Sequence, residues 1–326
     1  MAKCERKSAA CLDRIKKTLT EADSILLFPH IHMDGDALGS SVALCIALRQ
    51  LGKNCSILVN EDIPEYLAFL DNGYCVRETA GTAHVSMAVD CGDASRVEDR
   101  KEAFYGAEKT LCIDHHLLHA DFAEECYVDP DAAATGIPVF HLIRKLGAAI
   151  TPEIADALYV AILTDTGSFR YSNADRTTHL LVAELYDYGL NHVPLCNAVY
   201  DNIPLSQLRL EAGALESMQL FADGKACIGH LTLEEIQKLG GTPDQTETVI
   251  DRLRSIQGVE VAVFLREKGV DTYKASFRSK SYADVGSIAH RLGGGGHRKA
   301  AGCTIAAPLE EAIRIVREAV LRELAQ

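Results

Sequence analysis

The sequence predicts an α/β fold in two domains: a larger one built on a mainly parallel sheet flanked by helices, and a smaller one that is also α/β. Three observations predict it. The chain has 326 residues, beyond the range in which a single hydrophobic core keeps growing. In its first 190 residues short apolar runs alternate with helical spacing, the pattern of strands joined by crossover helices. Clusters of carboxylate and imidazole end or closely follow these apolar runs, and ligands in open α/β sheets gather beyond the carboxyl ends of the strands.

Taken in order, residues 24–28 form a short apolar run after a polar amphipathic stretch and read as a buried strand. Residues 36–51 place Leu38, Val42 and Ile46 at helical spacing and stop before Gly52, a common kind of helix end. Residues 55–59, 85–89 and 110–113 are further strands, and the last two run directly into Asp90 and Asp114. Residues 135–146 and 152–163 read as helices separated by Gly147, and another helix follows Asp175 and ends near Gly189. The predicted boundaries are 1–190 for the larger domain, 191–210 for a linker with helical pieces and two prolines, Pro194 and Pro204, and 211–326 for the smaller domain. In the last of these, 226–231, 259–266 and 272–278 read as strands and 246–256 as a helix. A glycine run at 293–296 precedes a final amphipathic helix at 309–324.

Composition narrows the classes of function. An apolar fraction of 48% is that of a soluble globular protein, and no apolar run approaches the roughly 20 residues of a membrane span. The amino-terminal residues lack an apolar signal core. Eleven cysteines, odd in number and without C-x-x-C spacing, fit reduced thiols in a cytoplasmic protein. Cys91 and Cys112 read as small buried apolar residues rather than nucleophiles. A formal charge of −13 argues against coating long nucleic acid, which rests on many lysine and arginine contacts to phosphate, but admits a small phosphorylated substrate.

Four clusters carry the chemistry. His30, Asp34 and Asp36 lie in F-P-H-I-H-M-D-G-D, Asp90 in V-D-C-G-D, His115 and His116 follow Asp114, and Asp165 opens D-T-G-S-F. Carboxylates and neutral imidazoles without thiolate suit hard or borderline divalent ions such as manganese or magnesium. Six candidates (His30, Asp34, Asp36, Asp90, His115, Asp165) can serve two ions sharing a bridging carboxylate. Such ions, ~3.5–4 Å apart, activate a water and clamp the oxygens of a phosphoester. Each cluster alone has a plainer reading: Asp36 as a helix N-cap, Asp90 as a strand-end cap, the paired histidines as surface residues. Their joint occurrence in this order argues for a site. His32 lacks the spacing of a ligand, Gly35 removes a side chain that would crowd the pocket, and Asp114 is placed to orient a neighbour. In the second domain, Gly294, Gly295 and Gly296 let backbone N–H groups approach an anion, and His297 with Arg298 or Lys299 adds charge. Arg278, beside Ser279, can hold a phosphate bidentately. Arg96 and Arg170 are further cations beside the second and fourth clusters.

The succession H-x-x-x-D-G-D, D-x-G-D, D-H-H, D-T-G-S-F and G-G-G-G-H resembles the DHH/DHHA1 phosphoesterases, and within them the short-oligonucleotide (nanoRNase) and 3′-phosphoadenosine-5′-phosphate (pAp) phosphatase type. The resemblance runs from about residue 24 to residue 324. It implies a larger DHH domain with two Mn2+ ions, for which Mg2+ or Co2+ can substitute, and a smaller DHHA1 domain that binds substrate, with the active site in the cleft between them. Carried over, His30 and Asp34 bind one ion and Asp36 the other, Asp90 bridges both, and His115 and Asp165 complete the second. His116 contacts the scissile phosphate or donates a proton. Arg278 and the 294–297 loop hold the far end of the substrate. The implied activity is hydrolysis of short RNA or DNA oligonucleotides to mononucleotides, together with removal of the 3′-phosphate of pAp, in a chain with no membrane association that can form a homodimer. Two alternatives stay open: a phosphodiesterase for cyclic or linear dinucleotides, and a metal- and nucleotide-binding sensor without turnover.

Overall fold

A computed structural model describes residues 5–79 and 81–325. They form two compact units, divided between Asn202 and Ile203. The first is built on a seven-stranded sheet: β1 (Glu5–Arg6), β2 (Ser24–Pro29), β3 (Asn54–Leu58), β4 (Cys75–Val76), β5 (Val85–Val89), β6 (Lys109–Asp114) and β7 (Glu125–Val128). The order is β1-β7-β6-β5-β2-β3-β4 and every pairing is parallel. All five residues of β5 are buried, as a strand between two covered faces requires.

The helices of this unit are α1 (Ala9–Glu21), α2 (Gly35–Gln50), α3 (Lys101–Tyr105), α4 (Gly136–Leu146), α5 (Pro152–Asp165), α6 (Arg176–Asp187) and α7 (His192–Cys196). One sheet face, through Ile25, Leu27, Met87, Val89 and Ile113, joins the larger core with α1, α2, α4 and α5. The other carries a smaller core of Phe28, Phe104, Cys112, Cys126 and Val128. Helix α2 is buried from Gly35 to Leu48, on all its faces. It packs on α5 at close range: a Cβ on Gly39 would stand 2.5 Å from the Ala157 carbonyl oxygen, and one on Gly35 would stand 2.5 Å from the Thr164 side chain. Gly35 therefore makes room for Thr164 of α5, which corrects the expectation that it clears a pocket.

From β2 the chain runs outward to β3 and β4, then returns to the other side of β2 to form β5, β6 and β7. The strand order reverses between β2 and β5, the place where ligands bind in open α/β sheets. The register brings the strand ends level there, Pro29 beside Val89 and Val89 beside Ile113.

The second unit contains α8 (Leu205–Glu216), β8 (Gln219–Phe221), β9 (Ala226–Leu231), α9 (Leu233–Lys238), α10 (Val249–Ser255), β10 (Val261–Gly269), β11 (Thr272–Ser279), α11 (Val285–Arg291), β12 (Gly295–His297), β13 (Ala300–Ala306) and α12 (Leu309–Leu324). Its six-stranded sheet, in the order β12-β13-β11-β10-β9-β8, is antiparallel except for β9 with β10. Helices α11 and α12 cover one face, and α8 and α10 pack on the other over Cys227, Ala262 and Phe264. The segment 191–210 is helical on both sides of the unit boundary: α7 and a π-turn (Asn197–Asp201) precede it, and α8 follows. Among the described residues no helix is long and apolar enough to cross a membrane.

Because Gly39 faces backbone, a methyl group there must push the two helices apart. Gly39→Ala should lower stability by about 1–3 kcal/mol, the usual cost of overpacking. Gly269→Ala, where an added Cβ meets nothing within 4 Å, should change it by less than about 0.5 kcal/mol. Denaturant unfolding midpoints of the two variants check the difference.

Candidate active site

The site is assembled at the level strand ends. His30 directly follows β2. The chain then turns into α2, where Asp34 is the N-cap: its Oδ1 accepts the N–H groups of Asp36 and Ala37, each at 3.0 Å. The cap is thus Asp34, and Asp36 sits inside the first turn, fully buried. Asp90 follows β5 with φ +62°, a left-handed conformation that few non-glycine residues adopt and that Asp tolerates better than most. Its N–H donates to the Ile113 carbonyl at 3.0 Å, which fixes this bend against β6. Asp114 is the last residue of β6, with His115 and His116 immediately beyond, and Asp165 is the last residue of α5.

The side chains converge in two groups. His30 Nε2 lies 3.6 Å from Asp34 Oδ1 and 3.6 Å from Asp90 Oδ2. His115 Nε2 lies 3.8 Å from Asp36 Oδ2, 3.7 Å from Asp90 Oδ1 and 3.4 Å from Asp165 Oδ2. Asp90 belongs to both groups and offers one oxygen to each. His32 is turned to solvent, its side chain 87% exposed, beside Glu61.

Several residues that hold this arrangement carry no charge and escaped sequence reading. Asp36 accepts the Thr135 N–H at 2.6 Å on Oδ2, and the Gly136 N–H at 3.0 Å and the Ser40 hydroxyl at 2.9 Å on Oδ1. The Thr135 hydroxyl donates to Asp90 Oδ1 at 2.8 Å. Thr135 and Gly136 open α4, so the positive end of a helix meets the buried acids. The one sequence signal was their place at the start of an apolar helix. His115 Nδ1 lies 3.1 Å from the Ala132 carbonyl oxygen, and His30 Nδ1 lies 2.7 Å from that of Ile31. Both bonds leave Nε2 facing the carboxylates. Asn173 ties the Ala133 and Asp165 carbonyls together, at 3.0 Å each.

Burial raises the Asp36 carboxyl well above the usual range, and the charges of Asp90, Asp165 and Asp34 push in the same direction. Asp90 is raised by burial and then by Asp34, with His115 and His30 opposing. Asp165 is pushed up to about 7 by burial, opposed by His115 and reinforced by Asp90 and Asp34. Beside them, Asp114 is fully buried and accepts from His116 Nδ1 on one oxygen and from His119 Nδ1 on the other, both at 2.7 Å. Burial opposes the ionised form of Asp114, but these two bonds outweigh it and hold the group below the usual carboxylate range. The bond to Asp114 in turn raises His116 to about 9, against the effect of burial.

The remaining candidates divide. Arg96 lies in the turn after Asp93; its carbonyl oxygen accepts the Ile31 N–H at 3.0 Å and its charge acts on His30. Arg170 is exposed, with Nε donating to the Gly167 carbonyl at 2.6 Å. In the second unit, Arg278 of β11 pairs with Ala300 of β13, which pairs with His297 of β12. Directly opposed residues share a sheet face, so Arg278 and His297 stand on one face, two strands apart. Gly294, expected to face an anion, has its amide engaged within the fold. Its N–H donates to the Ala289 carbonyl at 2.8 Å, and a Cβ there would lie 2.2 Å from the Gly302 oxygen, so this glycine permits close packing. Gly295 and Gly296 belong to β12, an edge strand of the sheet.

The sign of the pH effect follows from Asp165. Its folded pKa, about 7, lies above the ~3.9 of an unfolded Asp, so its favourable contribution is complete below that lower value and is lost as pH rises through about 7. In chelator-treated protein, Asp165→Asn should raise Tm above that of the wild type at pH 8, and the gap should close toward pH 4. A gap independent of pH would contradict the assignment.

Against known proteins, residues 24–162 match the DHH family, N-terminal domain, and residues 226–326 match the DHHA1 domain. The chain is 35% identical over 307 residues to the bifunctional oligoribonuclease and PAP phosphatase NrnA of Thermus thermophilus, covering 92% of this chain and 90% of that protein. It is 26% identical to the protein of the same name from Bacillus subtilis, covering 93% and 95%. A solved exopolyphosphatase-related protein from Bacteroides fragilis superposes with a TM-score of 0.89 at 27% identity, covering 97% of this chain and 96% of that one. With its carboxylates and imidazoles gathered at the switch point of a DHH-type sheet, the chain belongs to the DHH/DHHA1 family of phosphoesterases.

Proposed function

We propose that the protein is a divalent-metal-dependent phosphodiesterase that degrades very short oligonucleotides to mononucleotides and removes the 3′-phosphate of pAp. The observation that carries the reading is Asp90, whose two oxygens serve two separate donor groups. The relatives named oligoribonuclease and PAP phosphatase support the substrate class.

The donor set fits two hard or borderline ions. His30, Asp34 and Asp90 make one site, and Asp36, Asp90, His115 and Asp165 the other. The ion pairs these carboxylates make are with histidines that need not be charged, so the buried acids call for cations. We assign manganese, which suits mixed carboxylate and imidazole ligands, with magnesium or cobalt as substitutes. Such a pair of ions, when bound, lowers the pKa of a water and neutralises charge on the phosphate.

The protein's own groups do the rest. Asp114 holds Nδ1 of His116 and keeps the ring protonated near neutral pH, so Nε2–H can donate to the leaving oxygen. Arg278 and His297 bind a phosphate at the far end of the substrate, with Gly295 and Gly296 of the edge strand β12 beside them. Arg96 and Arg170 are proposed as supplementary phosphate contacts. A net charge of −13 supplies no long basic track, so affinity should not grow with each added nucleotide.

Chelation should abolish hydrolysis and manganese should restore it. Asp90→Ala should lower kcat/KM at least ~10²-fold, about 2.7 kcal/mol of barrier; near-normal turnover in that variant would remove the bridging role. Initial rates on RNAs from dinucleotide to long oligomer, and on pAp, test the substrate class. Equal efficiency on long and short chains would move the assignment to a processive exonuclease.

Recognition separates from chemistry in a second comparison. Arg278→Ala and His297→Ala should keep bound metal and lose activity on oligonucleotides and pAp. They should lose far less on bis-nitrophenyl phosphate, which has no far phosphate to hold. Equal losses on both substrates would show that these residues do not recognise the substrate.

A further inference from the structure

We propose that Cys112, Cys126 and His119 form a second metal site, for a thiophilic closed-shell cation, Zn2+ or Cu+. Cys112 on β6 and Cys126 on β7 are direct partners in the parallel register, so both thiols leave the sheet on the same face. Asp114, two residues beyond Cys112, lies on that face as well. His119 enters from the loop after β6 with its side chain only 1% exposed. Its Nδ1 donates to Asp114 Oδ2 at 2.7 Å. That bond leaves Nε2 as the remaining nitrogen, buried, facing the Cys126 thiol and without a hydrogen bond of good geometry. This atom and the two Sγ atoms all lie within 4.8 Å of one another.

Two independent features point to an ion. A buried ring nitrogen whose one neighbour is a poorly aligned thiol is under-satisfied, and a cation between the three atoms satisfies it. A metal-bound imidazole almost always passes its other N–H to a carboxylate, the role that Asp114 plays for His119. The donors decide the class: two sulfurs and one nitrogen favour Zn2+ or Cu+ over the manganese or magnesium of the carboxylate centre. Binding displaces the thiol protons into solvent, and no electron transfer is involved. Cys112, read from the sequence as a small buried apolar residue and found buried, would then also serve as a ligand. The ligands come from two strands and a loop, so they leave no C-x-x-C signature. An ion here would fix the loop after β6, and through the shared Asp114 it would fix the ring of His116.

The test uses full-length, metal-free protein titrated with Co2+. The carboxylate centre also takes cobalt, but only thiolate ligation produces a sulfur-to-cobalt charge-transfer band in the near ultraviolet. One equivalent, added while excess Mn2+ occupies the carboxylate centre, should develop that band. Excess Mn2+ should leave it, and one equivalent of Zn2+ or, anaerobically, of Cu+ should erase it; the two arms identify the preferred ion. Cys126→Ser and His119→Gln should weaken or abolish the band, and Cys227→Ser, in the second unit, should retain it. Anomalous diffraction at the zinc edge from zinc-soaked wild-type crystals locates the ion without any variant. Absence of a thiolate band at saturating Co2+, its persistence in Cys112→Ser/Cys126→Ser, or no anomalous peak among these three residues would overturn the proposal.

Discussion

The first unit depends on holding several carboxylates within a few ångströms of one another, two of them away from water. Asp36 and Asp90 are both buried, and each is raised by burial and by neighbouring acids. Fold elements answer this repulsion before any ion does. The first N–H groups of α4 and the hydroxyls of Ser40 and Thr135 bind the two acids directly. Asp36 comes from α2 and Asp165 from α5, so their spacing about His115 is set by how closely those helices approach. That approach rests on Gly35 and Gly39. Helix packing and ligand geometry are therefore one constraint, which explains why α2 is buried on every face instead of showing the half-exposed stripe of a surface helix.

The parts legible in the sequence were those written in residue type. The strands β2, β5 and β6 are short apolar runs that stop at a titratable residue, and three ligand clusters abut such a run while the fourth, at Asp165, closes the apolar helix α5. What escaped was written in backbone or in neutral side chains. Thr135, Gly136 and Ser40 are ordinary helix residues until the fold places them over Asp36. The strand β7 is only four residues long, begins with a glutamate and did not stand out. The capping role assigned to Asp36 belongs to Asp34, because either residue satisfies the local pattern and only the start of the helix decides. Gly294 looked available to an anion, yet its amide is already used and its missing side chain makes way for Gly302 and Cys303. Composition cannot distinguish a glycine that exposes backbone from one that lets two segments touch.

The two units divide the chemistry by the way each sheet is built. A parallel sheet covered on both faces leaves only its edge of strand ends for polar groups, so it concentrates acids in one row. The second sheet has a different resource. In β11, Tyr273, Ala275 and Phe277 point into the core, and the alternate residues Lys274, Ser276 and Arg278 are partly exposed on the opposite face. Arg278 and His297 share a row on that face, separated by Ala300, whose side chain is small. The guanidinium and the imidazole stand two strands apart, roughly 10 Å between backbones, the spacing on which the proposed contact with an extended phosphorylated ligand rests.

Asp114 marks where the first unit changes from hard to soft donors. Along β6 the side chains alternate: Leu111 and Ile113 enter the larger core, and Cys112 joins the smaller one. Asp114 continues the Cys112 face, and the chain then leaves the strand, so His115 is free to turn toward Asp36, Asp90 and Asp165. Two residues of strand period thus separate thiols from carboxylates that are close in sequence. Asp114 is an acceptor at both oxygens, and each oxygen is committed to a different histidine, one next to each donor set. Replacing it by a neutral amide would give one of those rings an N–H where it needs an oxygen, and the ring would have to reverse its tautomer or turn away. The position accordingly requires a carboxylate for reasons of hydrogen-bond polarity alone, before any role in catalysis is considered.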